Sequence, residues 1–190
     1  MKTPLQLEAD LFRWMLNHNL NHIVLFHNGL QALLREKLNA PESLDEPIAR
    51  NTIELYDKMN SANSLLIALG FLEEMLVLFW RRQLPGDVIP AGSSIDRYKP
   101  LLHKLGVELG VLACWAVLQD AVKIRHCLLH TNGRVSYMRD ADEIRACIRR
   151  HHGGLEEHLD RVTVTSVFLQ RCVVAIRELR DEMTKGLTAQ

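Results

Sequence analysis

The chain has 190 residues, of which 47% are hydrophobic, so it is long enough to bury a substantial core within one domain. It carries 23 lysines and arginines against 23 aspartates and glutamates. This balance excludes a strongly basic nucleic-acid-binding protein and gives no sign of an overall attraction to anionic membranes. We expect one domain covering residues 1–190.

The cysteines and the apolar segments indicate where the protein resides. Its four cysteines are scattered, without a Cys-x-x-Cys pair, which predicts a reduced intracellular protein. The first ten residues lack the apolar core of a signal peptide. The most apolar run, residues 64–80, is interrupted by Gly70, Glu73 and Glu74, and we expect it to be too short and too charged to span a bilayer. The prediction is a cytoplasmic protein without a membrane partner.

Along most of the chain the apolar residues recur at helical rather than alternating spacing. Proline-containing segments at 39–48 and 85–94 separate the first helices as loops. The predicted helices cover about 5–37, 49–83, 95–105, 109–131, 140–152 and 166–185. The second is apolar nearly all the way round, so it should be central in a bundle or buried against a second subunit.

The end of the chain departs from the helical pattern. Residues 134–139 should connect two helices, and Gly153-Gly154 should break the chain. The stretch 159–165, "LDRVTVT", is predicted to be extended, and Thr165 should be the N-cap of the last helix. The predicted class is all-α, a bundle of long antiparallel helices with a short extended segment before the last one.

The stretch 124–134, "IRHCLLHTNGR", combines an arginine, two histidines and a helix-ending Asn-Gly. His126 and His130 are one turn apart, on a polar side of the predicted helix. On a helical wheel Arg125 falls instead on the apolar stripe formed by Leu112, Trp115, Leu118, Val122 and Leu129. An arginine among such residues needs a partner, because burial of an unpaired charge is very unfavourable. Glu73 and Glu74, which interrupt the second helix, are the expected partners.

These residue types suit the cleavage of RNA without a metal. An imidazole can accept or donate a proton near neutral pH. A guanidinium can bind a phosphate and stabilise the charge that develops on it. In such a reaction the ribose 2′-OH attacks the adjacent phosphate, one histidine removes its proton, and another protonates the leaving 5′-oxygen. A two-fold dimer of the motif helices would supply histidines in pairs.

Arg125-His126-x-x-x-His130 resembles the R-x(4–6)-H signature of the HEPN superfamily, in which a polar residue follows the arginine. The stretch "RHCLLHTNGRVS" is similar to that family's frequent "RN-xx-xH-xxGR" pattern at the end of a long helix. "FLEE" (71–74) looks like part of the family's second helix. Residues 161–179 resemble the extended piece and final helix of one HEPN branch. The resemblance reaches from about residue 50 to residue 180, and only the R-x4-H part is specific.

The resemblance implies a helical bundle that dimerises through the motif helices, and often a metal-independent endoribonuclease with a toxin or defence role. Arg125 and His130 would be the catalytic pair, and His126 the intervening polar residue, where the family most often has asparagine. One toxin branch has a tyrosine two residues after the histidine. This chain has Asn132 there, so regulation by modification of that tyrosine is not expected.

The expected partners are RNA, a second copy of the chain and a protein antitoxin or regulator, with no cofactor. Residues 121–154 carry seven lysines and arginines against three acidic residues, which favours contacts with the RNA backbone near the motif. Glu73, Glu74 and Asn132 would support the site. The candidate RNA contacts are Lys123, Arg134, Arg149 and Arg150.

Three other interpretations stay open. The family also contains inactive members, so the motif could lock a non-catalytic scaffold dimer, or Arg125 could form only a structural salt bridge. His126 and His130, at a spacing suited to metal binding, could serve a metal-dependent enzyme. A zinc site would add Cys127, Cys147, His151 and His152, although their spacing matches no common zinc motif.

Overall fold

The computed structural model describes residues 3–39, 47–92 and 94–188. Within these ranges the chain is dominated by helices, which confirms the all-α prediction. The α-helices are α1 (Pro4–Asn39), α2 (Pro47–Gln83), α3 (Lys99–Lys104), α4 (Ala113–Thr131), α5 (Ala141–Arg150) and α6 (Ser166–Thr188). Short 3-10 turns cover Ile95–Tyr98, Leu109–Val111 and Val135–Tyr137.

The predicted boundaries agree with these helices to within a few residues, except where a 3-10 turn takes the place of helix. Residues 95–105 form a 3-10 turn followed by α3, and α4 begins at Ala113 rather than near 109. The predicted loop at 39–48 lies largely outside the described residues. Helical spacing therefore located the elements, whereas the geometry of their first turns was not predictable.

The extended segment before α6 is one half of a hairpin. Strand β1 (Leu155–His158) pairs antiparallel with β2 (Arg161–Val164), with Leu155 opposite Val164 and His158 opposite Arg161. The two-residue turn places Leu159 at φ 48° and Asp160 at φ 64°, the pattern of a type I′ hairpin turn. The sequence predicted only the second strand.

Thr165 stands at the N-cap position of α6, as predicted. Its carbonyl accepts a hydrogen bond from the Leu169 amide at 3.2 Å, which is the first bond of the helix. Its hydroxyl donates to the Gly154 carbonyl at 3.0 Å. This side chain therefore joins the beginning of α6 to the Gly153-Gly154 turn.

The chain divides into two compact units, the first comprising Met1–Leu20, Ala68–Lys123 and Gln170–Gln190. In this unit α1 and α2 run antiparallel, because Glu8 pairs with Arg82 while Phe12 contacts Phe79. The nearly buried Arg180 of α6 donates to the side-chain oxygen of Asn17 in α1. The expectation of one domain stays a prediction.

The second unit comprises Asn21–Ile67 and Ile124–Leu169. Here the buried Asn60 of α2 donates to the His27 carbonyl of α1 at 3.2 Å. Farther along α1, Gln31 donates to the Asp57 carboxylate at 2.8 Å. This unit contains the end of α4, the α5 helix and the hairpin, and therefore the whole Arg125–His130 motif.

Helix α2 is long and apolar enough to cross a membrane. Over Asn51–Gln83 its most apolar 18-residue window has a mean hydropathy of 1.7, and 44% of that window is buried within the protein. The prediction that this stretch is too short and too charged to span a bilayer was therefore wrong as an argument from length and composition. Core helices of soluble proteins share these properties, so this finding alone gives only weak support to a membrane location.

Candidate active site at the end of α4

The buried side of α4 near its end consists of Leu118, Ala121, Ile124 and Cys127, each with no exposed surface. Arg125 does not belong to this side. It is half-buried, and Leu129, one turn further on, is 54% exposed. The predicted apolar stripe is buried at Trp115 and Leu118, whereas toward the end of α4 the buried positions are Ile124 and Cys127. The expectation that Arg125 lies among fully buried apolar residues is therefore met only in part.

Arg125, His126, Leu129 and His130 lie in the last two turns of α4, outside its fully buried residues. His126 is half-buried and His130 is exposed. Their rings stack with centroids 5.2 Å apart and an angle of 27° between planes, as expected for residues one helical turn apart. The end of α4 thus carries a half-buried arginine next in sequence to two stacked imidazoles, of which that of His130 is exposed.

Helix α4 ends as its Asn132-Gly133 sequence predicts. Asn132 and Gly133 both have left-handed backbones, with φ of 51° and 78°. The Gly133 amide donates to the Cys127 carbonyl at 3.0 Å, so the turn after α4 satisfies a carbonyl of the last helical turns. The Thr131 hydroxyl also donates to the Cys127 carbonyl, at 2.8 Å. These bonds hold the turn that carries His130.

The β1–β2 hairpin forms hydrogen bonds with the same helix end. The Val162 amide donates to the Gly133 carbonyl at 2.9 Å. The Arg161 guanidinium donates to the Asn132 carbonyl at 2.5 Å, which places a cation where the α4 dipole is negative. The chain that leaves Gly133 is held too, because the Val135 amide donates to the Asp160 carbonyl at 2.8 Å. Arg161 is therefore a positioning residue for the motif helix.

Asp160 in the hairpin turn binds the chain segment that follows α4. Its carboxylate accepts hydrogen bonds from the Ser136 amide at 2.9 Å and from the Ser136 hydroxyl at 2.5 Å. Those two bonds lower the pKa of the Asp160 carboxyl below its usual value. Sequence reasoning missed Asp160 and Arg161. The available signal was the segment "HLDR", where a turn lies between two short polar stretches.

The predicted supporting glutamates lie in the other unit. Glu73 is paired with Arg97 within the first unit, and Glu74 is exposed. Arg97, which also donates to the Tyr98 hydroxyl at 2.7 Å, was not identified from the sequence. The pairing of Arg125 with either glutamate stays a prediction.

The predicted RNA contacts occupy three places. Lys123 is half-buried on α4 and falls in the first unit. Arg134 follows the α4 cap, with its guanidinium 5.4 Å from the centre of the Tyr137 ring. Arg149 and Arg150 are exposed in the last turn of α5, and Arg150 donates to the Cys147 sulfur at 3.3 Å. Of these four, Arg134 is the nearest in the chain to the Asn132–Gly133 cap.

The proposed zinc ligands are not assembled into a site. Across residues 3–39, 47–92 and 94–188, no three histidine, cysteine or acidic side chains are grouped so that they could hold a metal ion. Cys147 is fully buried, and His151 packs edge-on against Phe168 with ring centroids 4.9 Å apart. Burial also raises the pKa of the Cys127 thiol, which disfavours the thiolate form that binds metals.

The end of α4 therefore carries an arginine next to a stacked pair of imidazoles, and a hairpin holds this helix end by hydrogen bonds. Comparisons of this chain with protein-family models, with curated proteins and with solved structures find no match.

Proposed function

We propose that the protein is a metal-independent endoribonuclease of HEPN type, which cleaves RNA to 2′,3′-cyclic phosphate and 5′-OH ends. The observation that carries this proposal is the stacked His126–His130 pair, which follows Arg125 in the last two turns of α4. Acid–base catalysis needs imidazoles that can reach a substrate, and His130 is exposed.

In the proposed mechanism Arg125 binds the scissile phosphate and stabilises the negative charge that develops on its oxygens. His130 acts as general acid or base. As base, it removes the proton of the ribose 2′-OH, which attacks phosphorus. A second histidine, acting as acid, donates a proton to the leaving 5′-oxygen. His126 positions the substrate or shares the proton transfer.

A homodimer through the α4 ends would supply both proton-transfer groups. Leu129 favours this arrangement, because a leucine that is 54% exposed between Arg125 and His130 gains free energy when a partner covers it. The two subunits would then each contribute one Arg125–His130 pair to a shared site.

Backbone phosphates on either side of the cleaved bond would be held by the basic residues of this region. Arg134 follows the helix cap directly, whereas Lys123, Arg149 and Arg150 would bind more distant parts of the strand. We place this activity in the cytoplasm, in a toxin or defence role, with a protein antitoxin or regulator as a further partner.

The test is incubation of the purified protein with total RNA in excess EDTA, followed by analysis of the product ends. Wild type should cleave and leave cyclic phosphates, and Arg125→Ala and His130→Ala should each reduce the rate at least about 100-fold, the usual contribution of a general acid or base. His152→Ala is the matched control, because His152 is an exposed histidine on the chain after α5, outside the motif. It should cleave like wild type.

Replacement of His126 by asparagine distinguishes its two roles. If His126 only positions RNA, His126→Asn should keep most of the maximal rate. If it transfers a proton, the rate should fall and the bell-shaped dependence on pH should lose one limb. Cleavage that chelator abolishes would contradict the metal-independent mechanism.

A second candidate function is a non-catalytic scaffold dimer locked by the same residues. The observation in its favour is again the exposed Leu129, which suits an interface whether or not catalysis occurs. An inactive wild type whose dimer dissociates on Leu129→Glu substitution would support the scaffold and exclude the nuclease.

A further inference from the structure

The imidazoles of His126 and His130 are spaced as two ligands of one metal ion would be. They are one helical turn apart in α4, and their ring centroids are 5.2 Å apart. Zinc binds a histidine nitrogen at about 2.0–2.1 Å, which puts the ion roughly 3.2 Å from the centre of the ring. At the tetrahedral angle that zinc prefers, two rings bound to one ion have their centres about 5.2 Å apart. The observed separation is therefore that of a zinc chelate.

The orientation of the two rings requires only a local change for chelation. Their planes make an angle of 27°, and an ion held by both rings must lie close to both planes. The torsion of histidine about the bond from Cβ to Cγ is broad, so each ring can turn one nitrogen toward a shared position while the helix stays in place. His130 is exposed and His126 is half-buried, so an ion from solvent can reach the pair.

The surroundings of the pair favour an ion that binds reversibly. The last turns of a helix attract a cation because the helix dipole is negative there. Arg125 and Arg161 oppose this attraction, since Arg125 precedes the pair and Arg161 donates to the Asn132 carbonyl. Among the residues that the structure describes, no third histidine, cysteine or acidic side chain joins the pair, so water would complete the coordination. Structural zinc sites use four protein ligands, and a site with two should release its ion far more readily.

The sequence contains one other pair of histidines at this spacing, His18 and His22 in α1. These residues lie near the middle of the helix Pro4–Asn39 rather than in its last turns, so the helix dipole does not favour a cation there. The His18 ring also stacks on Trp14 at 5.1 Å, a contact that chelation would give up. The pair in α4 should therefore bind zinc more tightly than the pair in α1.

We propose that His126 and His130 form an inhibitory zinc site, in which one Zn²⁺ binds both imidazoles reversibly. The site itself is independent of the nuclease activity, whereas its inhibitory effect rests on the proposed function. Zinc binds the neutral imidazole and competes with the proton for the same nitrogen. A nitrogen that holds the ion can neither accept the proton of the ribose 2′-OH nor donate one to the leaving 5′-oxygen. Zinc would thus stop the proposed cleavage, and its removal would restore it.

Calorimetric titration of the full chain with ZnCl₂ tests the site without RNA. Wild type should bind one ion in its tightest step. His126→Ala and His130→Ala should each weaken that step at least about 10-fold, because loss of even a residue that supports a metal ligand costs about 10–100-fold in affinity. His18→Ala is the matched control and should leave the step unchanged. The proposal would be overturned if wild type binds no zinc, or if His18→Ala alone removes the tightest step.

Cleavage of RNA by wild type in the absence of chelator tests the inhibition. ZnCl₂ should stop cleavage, with half-inhibition near the Kd from the titration, and excess EDTA should restore it. MgCl₂ is the control, because Mg²⁺ prefers oxygen ligands and should not inhibit. Zinc that stimulates cleavage would refute the inhibitory role. A wild type that binds zinc through His126 and His130 but cleaves no RNA would refute the nuclease and its inhibition, while it would confirm the zinc site.

Discussion

Gly186 in α6 and Gly70 in α2 are helical glycines with opposite surroundings. A Cβ atom at Gly186 would lie 1.8 Å from the Leu105 carbonyl oxygen, whereas a Cβ at Gly70 would meet nothing within 4 Å. Both substitutions by alanine gain helix propensity, about 1 kcal/mol in a helix interior. At Gly186 the added methyl clashes with backbone, and overpacking of this kind destabilises by about 1–3 kcal/mol or more.

We therefore expect Gly186→Ala to lower the free energy of unfolding by about 1–2 kcal/mol, because the clash outweighs a propensity gain that is reduced near a helix end. Gly70→Ala should raise it by about 0.5–1 kcal/mol. Urea unfolding of the three proteins at one protein concentration measures both changes through the transition midpoint, provided that the slope stays constant.

The decisive result is whether Gly186→Ala and Gly70→Ala change the free energy of unfolding in opposite directions. If Gly186→Ala proves as stable as Gly70→Ala, the end of α6 does not approach Leu105 in solution, and the packing described for the first unit is wrong there. If both variants are destabilised, the assumption that Gly70 sits in an open helical position is refuted instead.

Three further predictions concern the rest of the chain. Burial lowers the pKa of His27 below its usual value, and its Nε2 has no hydrogen-bond partner. Because the unfolded chain binds the proton more readily, the free energy of unfolding should be at its full value above about pH 6.5 and decline below it. His27→Gln should flatten that decline in urea midpoints measured from about pH 8 to about pH 5. All four thiols are buried, and burial raises the pKa of Cys114 to about 11. A thiol reagent at about pH 8 should therefore label the native protein only as fast as the protein unfolds. Immediate labelling would contradict this. Leu159 is 82% exposed and has a left-handed backbone, with φ 48°. Leu159→Gly should stabilise the protein by up to about 1 kcal/mol, because glycine adopts this backbone without strain, and the melting temperature should rise. The control is Val88→Gly, at an exposed residue without positive φ, which should not raise the melting temperature.

Much of the fold was predictable because its signals are local. The spacing of apolar residues located the long helices, and Asn132-Gly133 indicated the end of α4. Both signals depend only on residues that are close together in the sequence. The R-x4-H motif was visible for the same reason. The stacked histidine pair follows directly from its one-turn spacing.

The surroundings of Arg125 were only partly predictable, because a helical wheel does not say which side of a helix faces the core. On α4 the predicted stripe is buried at Trp115 and Leu118, yet Leu129, farther along the same stripe, is 54% exposed. The same ambiguity applies to α1, where Trp14 has helical apolar spacing and is 61% exposed.

The sequence by itself determined the helices, their approximate ends and the spacing that places Arg125, His126 and His130 in the last two turns of α4. The tertiary structure alone decided that β1 pairs with β2, that Arg161 caps the Asn132 carbonyl and that Glu73 pairs with Arg97. Each of these contacts joins residues more than twenty positions apart, or strands too short to be recognised singly. The physical reason is that local patterns limit the backbone of each segment, whereas long-range pairing depends on how all the segments pack together.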